Sequence, residues 1–278
     1  SIKFTNPAAL TASSYGLYNE QYLTVDYNSA WDLAQNTNWT CELWVRPDAL
    51  IGTCFISQVD LNTTRGWRLA CDPNQLRFFD EQGDNDHSCA GFGVNTPSAG
   101  SWSHIAVVRT GSNLKIFHNG IIVLNDTSYV AASTNAGALR IGQGIGLTNS
   151  TERIYNEEYG SQYGFNGYMD EIRISTSARY STTFNPSASA FTSDANTALL
   201  IHANNTNGSQ TFIDSSTAST KTISIPNVNR NWNPAVIGGG LNGKTYSLDA
   251  NAPLGSNWPG SAAGGAGGLP ISAHGGPG

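Results

Sequence analysis

Charge is scarce in this sequence. Asp, Glu, Lys and Arg make up 12% of its 278 residues, against 39% hydrophobic residues. The polar surface must therefore come mostly from Asn, Ser, Thr and Gly, a balance that suits an extracellular or virion protein better than a cytosolic enzyme. Basic clusters are missing too. The net charge is −6, and the nearest approach to a basic stripe is Arg65 and Arg68 around Gly66 and Trp67. That is too little to follow a phosphate backbone, so nucleic acid is not an expected partner. No run comes near the eighteen or so apolar residues a membrane helix needs, and no membrane insertion is expected. No leader-like segment opens the sequence at Ser1, which reads as a processed chain or a piece of a longer one. Helical periodicity is almost absent. The length leaves room for one large β-sandwich with an accessory segment, or for two small domains.

Cysteine is sparse but even in number: Cys41, Cys54, Cys71 and Cys89. Four cysteines allow three pairings. Cys71 and Cys89 flank a polar loop and form the most bridgeable pair. The other reading makes Cys41 and Cys54 small buried hydrophobes on strands. No CxxC occurs, which argues against a structural zinc site. Asn-x-Ser/Thr sequons begin at Asn38, Asn62, Asn125, Asn149, Asn204 and Asn207; they matter only on a eukaryotic secretory route.

What is present is strand signal. Short runs rich in Val, Ile, Thr, Tyr and Trp recur between Gly, Asn, Asp and Pro, the spacing of an all-β sandwich. The runs are 22–27, 40–46, 54–58, 66–70, 76–79, 102–109, 114–124, 139–141 and 168–174. In 40–46, Cys41, Leu43 and Val45 share one face, with Glu42 and Trp44 on the other. Pro47 then ends the strand, having no N–H to donate. Asn119-Gly120 supplies the two positive-φ positions of a type I′ hairpin turn. Residues 142–166 form a loop long enough to suggest a function. Short strands are expected again at 198–202, 211–213 and 222–225. From Ile237 glycine dominates, and such a segment cannot bury enough apolar surface to order itself. The expected division is a sandwich over 1–192, a short β accessory segment over 193–236 that packs on or extends it, and a Gly-rich tail over 237–278.

Six motifs in order carry a family resemblance. They are Tyr22-Leu-Thr-Val, Trp39-Thr-Cys-Glu-Leu-Trp-Val-Arg-Pro47, Gly66-Trp-Arg-Leu, Trp102-Ser-His-Ile-Ala-Val-Val-Arg109, Leu114-Lys-Ile-Phe-His-Asn-Gly120 and Gly167-Tyr-Met-Asp-Glu-Ile-Arg-Ile174. From about residue 15 to 186 the chain resembles the laminin-G-like branch of the concanavalin A-like lectin/glucanase superfamily. The resemblance implies an all-β fold, a two-sheet antiparallel jelly-roll sandwich; it says little about function. Ala178-Arg-Tyr, Phe184-Asn-Pro, the run from Phe191 to His202 and Asn207-Gly-Ser-Gln-Thr-Phe-Ile-Asp-Ser-Ser are similar to a linker between such modules in tailed-phage and marine-virus structural proteins. With no second module following, 198–203 is expected to pair beside 168–174 and close its own sandwich.

The chemistry-bearing residues point to binding. Glucanases of the superfamily need carboxylates on one strand face. The only strand-borne acidic pair here is Asp170-Glu171, and neighbouring strand residues point to opposite faces. No catalytic residues are assigned, and a carboxylate tying down a loop is expected instead. His104, His118 and His202 have no Gly-x-Ser-x-Gly elbow to join. Asp80, Asp84 and Asp86, beside Glu81 and His87, form an acidic loop that offers oxygen ligands for calcium, an idea the family resemblance supports; the alternative is a solvated loop. Aromatic faces with amide and carboxylate partners make sugar sites, and the long loop holds Tyr155, Asn156, Glu157, Tyr159 and Tyr163, with Trp67 and Trp31 as further faces. The alternative is that these aromatics pack the loop down or meet another subunit.

The expectation is a virion surface structural protein, a capsid decoration or tail-fibre component. It would dock other virion subunits through its tail, adhere to host cell-surface glycan through the long loop, and form a homo-oligomer. The alternative is a secreted, lectin-like carbohydrate-binding module. A glycan-cleaving enzyme is the third reading.

Overall fold

The computed structural model describes residues 1–4, 21–33, 35–50, 53–60, 65–72, 75–82, 96–131, 136–143, 164–205, 209–218 and 220–225. Among them, regular structure is strand throughout, apart from one 3-10 turn at Ser29–Trp31. The strands are β1 (Ile2–Phe4), β2 (Leu23–Val25), β3 (Asn38–Pro47), β4 (Thr53–Asp60), β5 (Arg65–Asp72), β6 (Gln75–Gln82), β7 (Ser103–Thr110), β8 (Asn113–His118), β9 (Ile121–Asp126), β10 (Leu139–Ile141), β11 (Gly167–Ser175), β12 (Thr197–Ile201) and β13 (Ile223–Ser224). Every strand expected before residue 175 is present. Of the later ones, 211–213 contributes only an isolated bridge, Ile213 to Thr222.

The strands form two antiparallel sheets. One runs β1-β11-β3-β7-β8-β9, with β12 also on β11; the other runs β13-β2-β10-β4-β5-β6. This is the all-β jelly-roll sandwich expected. The alternation read from β3 holds: Trp39, Cys41, Leu43 and Val45 join the core between the sheets, while Glu42 and Trp44 face away. Facing them across the core are Phe55, Trp67, Leu69 and Phe78. The rings of Trp39 and Trp67 meet edge to face at 5.1 Å, and Trp67 stacks on Phe78 at 5.9 Å.

Strand β11 is the hinge of the first sheet. Its first half pairs with β1 (Lys3 opposite Tyr168) and its second half with β12 (Ile172 opposite Ile201). Residues 197–201 thus take the place beside β11 that the sequence suggested. Between the two halves the register to β3 shifts, between Asp170 and Arg173, and Glu171 has φ +48°. The outcome is a β-bulge. Met169 and Ile172 both enter the core, so Asp170 and Glu171 lie together on the outer side. The premise that these neighbours face opposite ways is therefore wrong: strict alternation fails at a bulge.

Residues 176–196 cross the outer face of this sheet as a strap. Tyr180 and Phe184 pack on Ala106, Val108 and Phe117 as a second, smaller apolar cluster. The Phe184 N–H donates to the carbonyl of Gly120 at 3.0 Å. At the return, the Phe191 N–H donates to Glu171 at 2.6 Å, and the Thr176 N–H donates to Asn196 O at 2.9 Å. The strap covers the centre of the face; at the corner where β11 starts and β3 ends, Trp44, Arg46 and Tyr168 stay half-buried and Trp102 is exposed.

Candidate functional site

Where each expected site residue lies decides what the fold can offer. Trp67 is 2% exposed, and its Nε1 donates to Trp31 O at 2.9 Å and to Gln58 Oε1 at 3.0 Å. Trp31 is buried as well. Neither ring can stack on a sugar, and both leave the candidate list: the core needs large faces, and Trp-Arg-Leu on β5 points Trp67 inward. Tyr155, Asn156, Glu157, Tyr159 and Tyr163 lie outside the described residues. Their loop leaves the sheets at Gln143 and returns at Gly164, which pair as an isolated antiparallel bridge. Ser57 Oγ donates to Gln143 O at 2.8 Å, and Phe165 packs on Phe4 and Phe55 at 5.9 and 5.6 Å.

Asp84, Asp86 and Cys89 are also outside the described residues. Asp80 and Cys71 are within them. Asp80 sits on β6, 4% exposed, and its carboxylate accepts the hydroxyl of Tyr129. Burial, with the Asp80 charge beside it, holds the Tyr129 phenol far above its ordinary range. An acid committed to a phenol inside the sandwich does not fit a calcium ligand on a loop rim. Cys71 is buried in the core of β5, and Cys41 and Cys54 are buried on β3 and β4. Burial, with Glu42 adding, raises the Cys41 thiol far above its ordinary value.

The acidic groups of the outer face are engaged. Glu42 is fully buried. Its Oε1 accepts from Arg173 Nε at 2.8 Å, and its Oε2 accepts from the Tyr180 hydroxyl at 2.8 Å and lies 3.2 Å from His104 Nε2. Glu171 meets the Nδ1 of His202 at 3.0 Å beside the strap. Asp170 faces the Ser1 nitrogen at 3.5 Å; burial raises its carboxyl above the usual value.

The corner of the same face beyond the strap is different in kind. The registers Lys3–Tyr168, Tyr168–Arg46 and Val45–Ser103 set Lys3, Tyr168, Arg46 and Trp102 in one row across four chain segments. Trp44 lies in the next row, between Asp170 and His104. Trp102 is 41% exposed; Trp44, Arg46 and Tyr168 are half-buried. The Tyr168 ring carries Lys3 Nζ at 4.4 Å and the Arg46 guanidinium at 5.4 Å. Lys3 is paired with Asp48. Arg46 Nε donates to Gly100 O at 3.0 Å. A guanidinium held over the Tyr168 ring, with Trp44 and Trp102 beside it in register, offers aromatic and cationic contacts to a hydroxyl-rich ligand. Sequence reasoning missed it, although one signal was there: Trp44 falls on the strand face opposite the core.

A family model of the concanavalin A-like lectin/glucanases superfamily, Laminin_G_3, matches residues 18–183. The chain belongs to this superfamily. Similar solved structures include a candidate carbohydrate binding protein from Bacteroides ovatus, at 15% identity and TM-score 0.48, with 81% of this chain and 59% of that one covered. The chain therefore spans less than two thirds of that protein's length. A heptameric SAP-like pentraxin from Limulus polyphemus has 15% identity and TM-score 0.41, covering 64% and 77%. Domains LG4-5 of the mouse laminin alpha1 chain have 9% identity and TM-score 0.40, covering 62% and 48%. No curated protein matches the chain in sequence. The superfamily match ends within the strap, so β12 and β13 lie beyond it.

Proposed function

We propose that the chain is a carbohydrate-binding module and that the corner bearing Trp44, Arg46, Trp102 and Tyr168 takes the sugar. Trp102 carries the reading. It is a large indole left exposed on a sheet face whose Phe117 is covered by the strap. Membership of a superfamily of lectins and glucanases supports sugar as the ligand class. Binding is favoured over cleavage because Glu42 and Glu171 are already held by Arg173 and His202 under or beside the strap. A glycan array with the intact chain tests this. Trp102→Ala and Tyr168→Ala are each expected to weaken binding about tenfold through lost stacking area. Absence of binding at high avidity, or binding that both variants leave intact, would sink the assignment. Turnover of a polysaccharide that Asp170→Asn abolishes would make the chain an enzyme instead.

A virion surface is the setting suggested by the linker-like sequence over 178–216. Here that segment supplies the strap and β12. Mass spectrometry of the source particle separates the settings: many copies per particle indicate a decoration, a few a fibre, and none a secreted module.

A further inference from the structure

Arg46 has an arrangement that the rest of the corner does not explain. Its Nε is used, donating to Gly100 O at 3.0 Å. Its guanidinium carbon sits 5.4 Å from the Tyr168 ring centroid. These two contacts fix the plane of the group. Among the described residues, its Nη1 and Nη2 have no hydrogen-bond or ion-pair partner. Of the nearby charges, Lys3 is paired with Asp48, and Asp170 lies in the next row, opposite Trp44. Among the described residues Arg46 has no anionic partner; its guanidinium lies over Tyr168 and beside Trp102 in register, on a chain whose net charge is −6.

A planar guanidinium with both terminal nitrogens open matches a carboxylate two bonds at a time. Trp102, next to Arg46 by the Val45–Ser103 register, gives the adjoining ring a surface to stack on. We infer that the corner selects sugars bearing a carboxylate, the uronic acids, with the pyranose on Trp102 and the carboxylate end-on to Arg46. This rests on the carbohydrate-binding reading and goes one step further, to the class of sugar. Sulfate would meet the same cation, and the sulfated probe below separates it from a carboxylate.

The test is calorimetric titration of the full chain with three probes: oligogalacturonate, neutral galactan oligosaccharide and a sulfated galactan oligosaccharide. Oligogalacturonate is expected to bind about tenfold more tightly than the neutral chain, as one charge-assisted bidentate contact allows. The preference should weaken as salt rises. Arg46→Gln is expected to erase the preference, and Arg46→Lys, which keeps the charge but not the fork, to restore part of it. Thermal melts of each variant establish that it folds; if Arg46→Gln does not, the salt dependence of the wild-type preference decides. Equal binding of charged and neutral chains, or a preference that Arg46→Gln leaves intact, overturns the inference. In those cases a loss of binding in Trp102→Ala keeps the carbohydrate-binding reading alive. Preference for the sulfated probe overturns the carboxylate assignment. No binding of any glycan by the wild type overturns both.

Discussion

Glu42 is an acid at the centre of a sheet, fully buried. Taking a carboxylate out of solvent costs several kcal/mol unless partners compensate. Burial pushes its pKa up, but the hydrogen bond with His104, the Arg173 charge and the Tyr180 hydroxyl outweigh this and hold it below its ordinary value. An acid depressed in the folded state adds stability above its unfolded pKa and loses it as pH falls through the folded value. Glu42→Ala strands the Arg173 guanidinium and is expected to cost about 3–5 kcal/mol, read as a lower urea midpoint. Glu42→Gln keeps the volume and still loses the ion pair, so it should fall between. A variant as stable as wild type would mean that Arg173 finds water when Glu42 leaves. The sequence showed Glu42 on the face opposite Cys41 and Leu43, which alternation dictates. It did not show that the face is covered, because the partners His104, Arg173 and Tyr180 are 62, 131 and 138 residues away. Trp67 failed in the opposite sense. Its composition-level promise as a sugar face gave no weight to a core that needed a third aromatic beside Trp39 and Phe78.

At the scale of elements, local chemistry was legible and packing was not. Asn119 and Gly120 have φ +50° and +77°, and the β8–β9 hairpin stands where Asn-Gly put it. Gly120 also does something no local pattern reveals. A Cβ there would come within 1.9 Å of the Phe184 carbonyl oxygen, so the turn is also the seat of the strap. The bulge at Asp170 and Glu171 escaped because nothing in Gly-Tyr-Met-Asp-Glu-Ile marks an extra residue. The strap is clamped near its ends by Arg179, which donates to Asp194 at 3.0 and 2.9 Å and to Ser175 Oγ at 2.5 Å. The Arg179 hydrogen bonds hold the Asp194 carboxyl down at about 2. The stabilising effect of this depressed acid is complete above its ordinary value of 3.8 and is lost as pH falls towards about 2. Asp194 is half exposed, so the pair is expected to contribute no more than about 1 kcal/mol. The readout is therefore local. Hydrogen exchange at the Thr176 amide, bonded to Asn196 O, should quicken in Asp194→Asn at pH 7. The gap between variant and wild type should close as pH drops to about 2. A gap that persists unchanged at pH 2 would mean that Asp194 acts through Thr197 and the turn rather than through Arg179.

For the whole molecule, the first sheet is closed by segments far apart in sequence. β1 at residues 2–4 and β12 at 197–201 share one edge of β11. The core follows this closure: Ile2 and Phe4 pack in the same cluster as Leu199, Ile201 and Phe212. A sandwich drawn to end at residue 192 would lack one neighbour of Ile172–Ser175 and the side chains of Leu199, Leu200 and Ile201, all buried. Burying each is worth about 1.5–3 kcal/mol, together about 5–9 kcal/mol. That rivals the 5–15 kcal/mol by which whole domains are stable. It would also leave β11 with an open edge, a template for aggregation. A chain cut after residue 192 is therefore expected to be insoluble or to melt without a cooperative transition. One cut after residue 225 keeps β12, β13 and Phe212, and should melt within a few degrees of the full chain. Circular dichroism melts of the two truncations compare them directly. Cooperative unfolding of the shorter chain near the temperature of the longer would make 193–225 an appendage. Its loss, with the longer chain intact, would make the sandwich a unit that its last strand completes.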